Sequence, residues 1–335
     1  MNEIIININE ANKAQKYSDK GLFQIEAFKR VSKILNNHFY DKEKTKNIVD
    51  CRFHDTIFID GDRGVGKTAF MLNIKNYYEK LYLEKTKKYL FLDPVDPTLL
   101  EHTEKFLSVI LARIVEKVNE SITNNELNSD ISSKYYESLE SLSKSLGAIK
   151  TLPDDIGIEE IASNKSSLKL EQHAHMFFKE VSHIFKVDGL VMLIDDIDMA
   201  FDKGFDVLEV VRKYLASPYL IPIVAGDMKL YKEIIETQFM EKIRFSDDIN
   251  HLTAIYNTSE LKKSSEYEDK KKLLNNLVEQ YLHKIFPNEY HIQLKNIFSI
   301  LKENDVKIKL SDKLEVLYED LKDFEIRLLL HHQII

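Results

Sequence analysis

The stretch Gly61-Asp62-Arg63-Gly64-Val65-Gly66-Lys67-Thr68 spells G-x-x-x-x-G-K-[ST] directly behind the apolar run Thr56-Ile57-Phe58-Ile59-Asp60. Few eight-residue patterns restrict a fold as tightly, because a turn of this kind needs a buried strand to deliver it and a helix to receive it. The spacing predicts that helix over Ala69 to Lys80, with Phe70, Met71, Ile74, Tyr77 and Tyr78 on one face. The three glycines let consecutive N–H groups converge on phosphate oxygens at the positive end of the helix. Lys67 then supplies a point charge for the β/γ-phosphates, and Thr68 a hydroxyl for Mg2+. The whole segment from Gly61 through Asp62, Arg63, Gly64, Val65, Gly66, Lys67 and Thr68 to Ala69 is expected to line a bound nucleotide.

A second segment, Leu190-Val191-Met192-Leu193-Ile194-Asp195-Asp196-Ile197-Asp198, is an apolar strand that ends in acids. Such a strand is buried on both faces and releases its last side chains at the carboxyl edge of a parallel sheet, where α/β proteins bind ligands. A hard divalent ion chelated by phosphates takes carboxylate help, which makes Asp195 the metal residue. Asp196 stands next to it to orient or deprotonate a water, and Asp198 shares that work or organises a subunit contact.

Composition narrows the class. The chain of 335 residues has 44% hydrophobic residues and only 6 Pro and 9 Gly, so it should fold into one large α/β domain plus a smaller one. The single Cys51 precludes an internal disulfide framework. The start Met-Asn-Glu-Ile-Ile lacks the regions of a signal peptide, and no apolar run is long enough for a membrane, so a reducing cytoplasm is the expected address. A formal net charge of −8 does not support nucleic-acid binding, although it leaves a local basic face open. The lysine clusters at 42–46, 85–88 and 262–272 are flanked or interleaved by acids and read as solvated faces. His173 and His175 are two apart on a predicted helix, which points them to different faces and precludes chelation as a pair.

Along the chain, residues 1–50 form a leader with a short strand near Ile4 and an amphipathic helix from Gly21 to Phe39. Residues 51–295 form the core, with strands at Lys88–Asp93, Leu190–Ile194, Leu220–Asp227 and Tyr290–Leu294 alternating with helices at Leu99–Asn119, Leu168–Phe185, Phe205–Ala216, Leu230–Phe239 and Leu274–Ile285. A Ser-, Asn- and Lys-rich insertion at about 120–167 reads as partly helical. Pro222 suggests an irregular or edge strand. Residues 296–335 read as helical, a lid or the start of a further domain. Alternating strands and helices predict a mostly parallel sheet sandwiched by helices, an α/β fold with a small C-terminal helical lid.

Gly61 to Thr68 and Leu190 to Asp198 resemble the Walker A and Walker B motifs of additional-strand P-loop ATPases, the division that holds AAA+ and STAND proteins. The hhhh-Asp-Asp-x-Asp form is most similar to KAP-type NTPases and less closely to origin-recognition ATPases. The resemblance implies ATP and Mg2+ as cofactors and further site residues: Asp227 as the sensor-1 polar residue, Arg244 as a finger reaching a neighbouring subunit, and Arg327 as the lid arginine of sensor 2. It also implies a homo-oligomer, rings included, with an effector protein as partner and bacterial defence against phage as the setting. Two departures stand out. Met199 replaces the arginine usual after Asp-Asp-x-Asp, and Asp196 stands where AAA+ proteins carry Glu, one methylene longer, which is compatible with slow turnover. A nucleic-acid remodeller or loader and a non-hydrolysing ATP-binding scaffold remain open as alternatives.

Overall fold

The computed structural model describes residues 4–7, 23–38, 53–82, 89–100, 105–124, 129–150, 158–200, 203–244, 265–296, 299, 306–311 and 314–317. Eight strands and eight α-helices are defined within them. The strands are β1 (Ile4–Asn7), β2 (Ile57–Asp60), β3 (Tyr89–Phe91), β4 (Gly189–Ile194), β5 (Leu220–Gly226), β6 (His291–Gln293), β7 (Val306–Ser311) and β8 (Leu314–Leu317). The helices are α1 (Ile25–Asn37), α2 (Lys67–Leu81), α3 (Phe106–Asn124), α4 (Ser129–Lys150), α5 (Ile158–Phe185), α6 (Gly204–Tyr214), α7 (Met228–Arg244) and α8 (Ser265–Ile285).

Five strands make one parallel sheet in the order β3-β4-β5-β2-β6. Strand β5 therefore lies between the strand that feeds the glycine loop and the strand that ends in acids. Alternation along each strand divides its side chains between two cores. Phe58, Leu190, Met192, Ile194, Leu220 and Val224 face a cluster supplied by α3, α5, α6, α7 and α8. Ile57, Ile59, Val191, Leu193, Ile221, Ile223, Ala225 and Ile292 face the opposite cluster, supplied by α1 and α2. With both faces covered, the central strands β4 and β5 are apolar and buried throughout rather than alternating in polarity. On the thinner side Phe28 of α1 stacks on Phe70 of α2 with ring centroids 4.1 Å apart. Each such fully buried large side chain contributes about 1.5–3 kcal/mol from burial alone.

Three expectations are corrected. The tail read as helical holds two strands, β7 and β8, which pair antiparallel, while β7 pairs in parallel with β1 to close a three-stranded sheet. Val306-Lys307-Ile308-Lys309-Leu310 alternates apolar and polar residues with period two and carries β-branched Val and Ile, a strand pattern whose partner β1 stands about 300 positions away. Pro222 is in a central strand, not at an edge. The N–H of Leu190 donates to Tyr219 O, so in the parallel ladder Ile221 bonds to β4 and Pro222 turns its nitrogen toward β2. The β2 register starts one residue later, at Ile57 opposite Ile223, and the missing donor falls at its mouth. The helix expected from Leu99 is delayed to Phe106. Before it, Pro97–Leu99 forms a 3-10 turn capped by Asp96, whose carboxylate accepts from Thr98 N at 2.8 Å.

The insertion is a helical hairpin of α4 against an α5 that begins at Ile158, ten residues before the predicted start. Tyr135 and Leu142 of α4 are buried against the same cluster as Leu170, Ala174 and Phe177 of α5. Ser145 Oγ and His173 Nδ1 meet at 2.8 Å across the pair.

Candidate functional site

The glycine loop leaves β2 at the carboxyl edge of the five-stranded sheet. Gly64 and Gly66 take φ of 83° and 86°, a left-handed backbone that a side chain would strain, and Gly66 is the N-cap of α2. No side chain caps α2 and no acidic residue occupies its first turn. Its orphan N–H groups and the positive end of its dipole therefore point out of the loop. Lys67 turns back over the loop and donates to Gly61 O at 2.8 Å and Asp62 O at 3.3 Å.

Strand β4 delivers Asp195 beside the start of α2. Asp195 is 5% exposed. Burial pushes its carboxyl up, and a hydrogen bond from the Thr68 hydroxyl pulls the other way. Thr68 and Asp195, 127 positions apart in the chain, thus place two oxygens together at one point of the crevice. Asp195 is fixed from both sides: its N–H donates to Val95 O at 3.0 Å, and its Oδ1 accepts from Asp196 N at 3.1 Å. Asp196 adopts a left-handed φ of 52° and is half-buried, so the chain turns sharply as it leaves the strand. Met199 follows on the 3-10 turn Ile197–Met199 and is exposed.

Asp198 is buried to 3% exposure. Its Oδ2 accepts from Asp227 N at 2.9 Å, and its Oδ1 has no hydrogen-bond partner. Burial raises its carboxyl, while the Asp227 N–H and the charge of Lys67 oppose the rise. Asp227 leaves β5 between the two motifs, and its Oδ1 accepts from Lys229 N at 2.9 Å. The carbonyl of Gly226 accepts from Gly61 N at 3.1 Å, which joins β5 to the glycine loop. A Cβ on Gly226 would lie 2.6 Å from the hydroxyl of Tyr231 and 2.7 Å from its Cζ. Only glycine leaves room for that ring, whose hydroxyl donates to Ala225 O at 3.0 Å. Complete burial, with Asp198, Asp195, Asp196 and Asp60 around it, holds the Tyr231 phenol well above its ordinary range.

Lys67, Thr68, Asp195, Asp196, Asp198 and Asp227 are therefore drawn from three adjacent strand ends to one edge. Asp62, Arg63 and Gly64 are exposed on the loop, Val65 and Ala69 partly so. Arg244 closes α7 at the end opposite Asp227. Arg327 and Cys51 lie outside the described residues. Arg212 belongs to a different cluster, bound to Glu209 at 2.7 and 3.0 Å.

One further residue of the edge belongs to neither motif. Asp60, 8% exposed, accepts from Met228 N through Oδ1 at 3.1 Å, and its Oδ2 meets His291 Nε2 at 2.9 Å. Its carbonyl accepts from Leu294 N at 2.7 Å. The signal in the sequence was a carboxylate ending an apolar strand just ahead of the loop, but its partners lie 168 and 231 positions away.

The donor set suits a divalent ion that takes most of its ligands from phosphate and water, since one hydroxyl and one carboxylate meet here. Among the described residues, no group of three or more His, Cys, Asp or Glu could hold a metal ion. No helix among them is long and apolar enough to cross a membrane.

The family described as the KAP family P-loop domain matches residues 37–253, more than half of the chain. Comparison with curated proteins gives no match. The chain belongs to the KAP family of P-loop NTPase domains, and the sheet order and loop described above are those of a nucleotide-binding α/β fold.

Proposed function

We propose that this KAP family domain binds and hydrolyses ATP with Mg2+ as an oligomeric switch. The observation that carries the reading is the meeting of the Thr68 hydroxyl, at the start of α2, with the Asp195 carboxylate, at the end of β4. Lys67 and the N–H groups of residues 64–69 bind the phosphates, and the open amino end of α2 accommodates their charge. Thr68 and Asp195 would hold the divalent ion, which when bound neutralises charge on the transferred phosphoryl group. Asp196 orients the attacking water and Asp227 reads the terminal phosphate. Arg244 reaches the site of a neighbouring copy, and Arg327 contacts the nucleotide from beyond the core. The oligomer, an effector partner and a place in bacterial defence against phage are supported by the resemblance of the two motifs to STAND and KAP-type ATPases.

The test separates binding from turnover. Asp196→Ala should retain a fluorescent ATP analogue and release no phosphate above background in single-turnover assays. Wild-type phosphate release from that variant would remove Asp196 from its role. Light scattering with and without ATP should show a larger particle with ATP, and an unchanged mass would defeat the assembly part of the reading. Binding without hydrolysis in the wild type would favour a scaffold, a reading that the short Asp196 side chain supports.

A further inference from the structure

Three consecutive N–H groups at the amino end of α7 are each taken by a carboxylate. Asp227 N donates to Asp198 Oδ2 at 2.9 Å, Met228 N to Asp60 Oδ1 at 3.1 Å, and Lys229 N to Asp227 Oδ1 at 2.9 Å. Only the last of these is a local cap. A helix start leaves four N–H groups without partners, and polar side chains from its own turn or water normally satisfy them. Here the other two acceptors come from far along the chain, one from the residue before the glycine loop and one from the turn after the metal-binding strand.

Burying two carboxylates is costly, and the charge-assisted bonds and the positive helix end offset that cost only while the geometry is kept. A cap alone does not need them. Asp60 also anchors β6, through His291 and Leu294. Asp198 keeps its Oδ1 unpartnered, buried and within the field of Lys67. The Gly61 to Gly226 backbone bond adds a further tie between the loop and the same strand end.

We propose that Asp60 and Asp198 are positioning residues: they clasp the amino end of α7 to the phosphate loop and to the acid-tipped strand, and thereby set where Asp227 stands relative to Lys67 and Asp195. The proposal rests on the nucleotide reading above for its effect on turnover, but the clasp itself is a property of the ligand-free chain.

The experiment compares Asp60→Ala, Asp198→Ala and their Asn counterparts in the full chain. Hydrogen exchange at amides 227–229 without nucleotide should accelerate at least about tenfold in the Ala variants, as expected when a charged acceptor is lost. The kcat for ATP should fall by about 100-fold, the scale of a misplaced catalytic group. The Kd of a fluorescent ATP analogue should stay within about threefold of wild type, since the phosphate cradle is intact. Asn keeps one oxygen for the amide and should restore most of the exchange protection and of kcat. Should an Ala variant fail to fold, the Ser variant at the same position takes its place, with the same acceleration at 227–229 and the same fall in kcat expected. Unchanged exchange at 227–229, or wild-type kcat despite faster exchange, overturns the proposal, as does affinity lost in step with kcat. If the wild-type chain hydrolyses no ATP, the nucleotide reading fails, and the exchange measurement still decides the clasp.

Discussion

Two helices start side by side at the carboxyl edge of the sheet and treat their amino ends in opposite ways. Helix α2, after β2, begins at a left-handed glycine with no side-chain cap and no acid in its first turn. Helix α7, after the adjacent β5, begins with three amides already donated to Asp198, Asp60 and Asp227. Both ends carry the same partial positive charge. Only the first is left open to an anion, while the amides of the second are already taken by carboxylates. The edge therefore selects one of two equivalent helix ends by what the neighbouring strand tips supply, and glycine loop and acidic turn are two halves of that selection.

The open end should be the more sensitive to charge. Lys67→Ala should weaken binding of a fluorescent ATP analogue by about 100-fold, the loss of charge-assisted bonds to phosphate, and retention of affinity would show that α2 is not the anion site. The closed end should be the more sensitive to shape. Gly226→Ala forces a methyl into the space of Tyr231 and should cost about 1–3 kcal/mol in denaturant unfolding, and a neutral result would mean that β5 and α7 move apart easily.

The support along α7 can be probed by pH. Phe239 of α7 packs edge-on against Tyr281 of α8, and Tyr281 donates to Glu209 of α6. Burial alone would raise the Glu209 carboxyl, but hydrogen bonds from Arg212, Lys213 and Tyr281 outweigh it and bring the group down to about 2. A carboxyl held low stabilises the fold while ionised, so Glu209→Gln should lower the thermal midpoint at pH 7. The gap from wild type should close as pH falls from 4.5 toward about 2. A gap independent of pH would assign the loss to packing instead. The smallest effect belongs to Lys229, whose ammonium lies 3.6 Å from Asp62 with both side chains largely exposed. Lys229→Ala should leave stability and nucleotide affinity unchanged within error, and a measurable loss of either would add a link between the two helix starts.

Much of the edge was legible in the residues themselves. The glycine spacing and the acid-tipped apolar run each encode a local structure, and α2, β4 and β5 follow from short-range periodicity. The insertion is less local: α4 and α5 bury Tyr135 and Phe177 against each other, whereas a Ser- and Lys-rich composition alone looks only partly ordered. The roles of Asp60 and Asp198 were illegible because each is defined by an acceptor geometry across strands, and a carboxylate before a glycine loop has the same letters whether it faces water or caps a helix. Likewise the period-two alternation at Val306–Leu310 was present, but its partner strand stands at the far start of the chain.

That last pairing shapes how the protein comes into being. Ile4 aligns with Val306 and Asn7 with Lys309, so β1 finds its neighbour only after about three hundred further residues have been translated. At ordinary elongation rates of about 5–20 residues per second, this leaves an apolar Ile-Ile-Ile segment waiting for on the order of tens of seconds. Over that interval it lacks its native neighbour, and the small sheet closes only once β7 has been made.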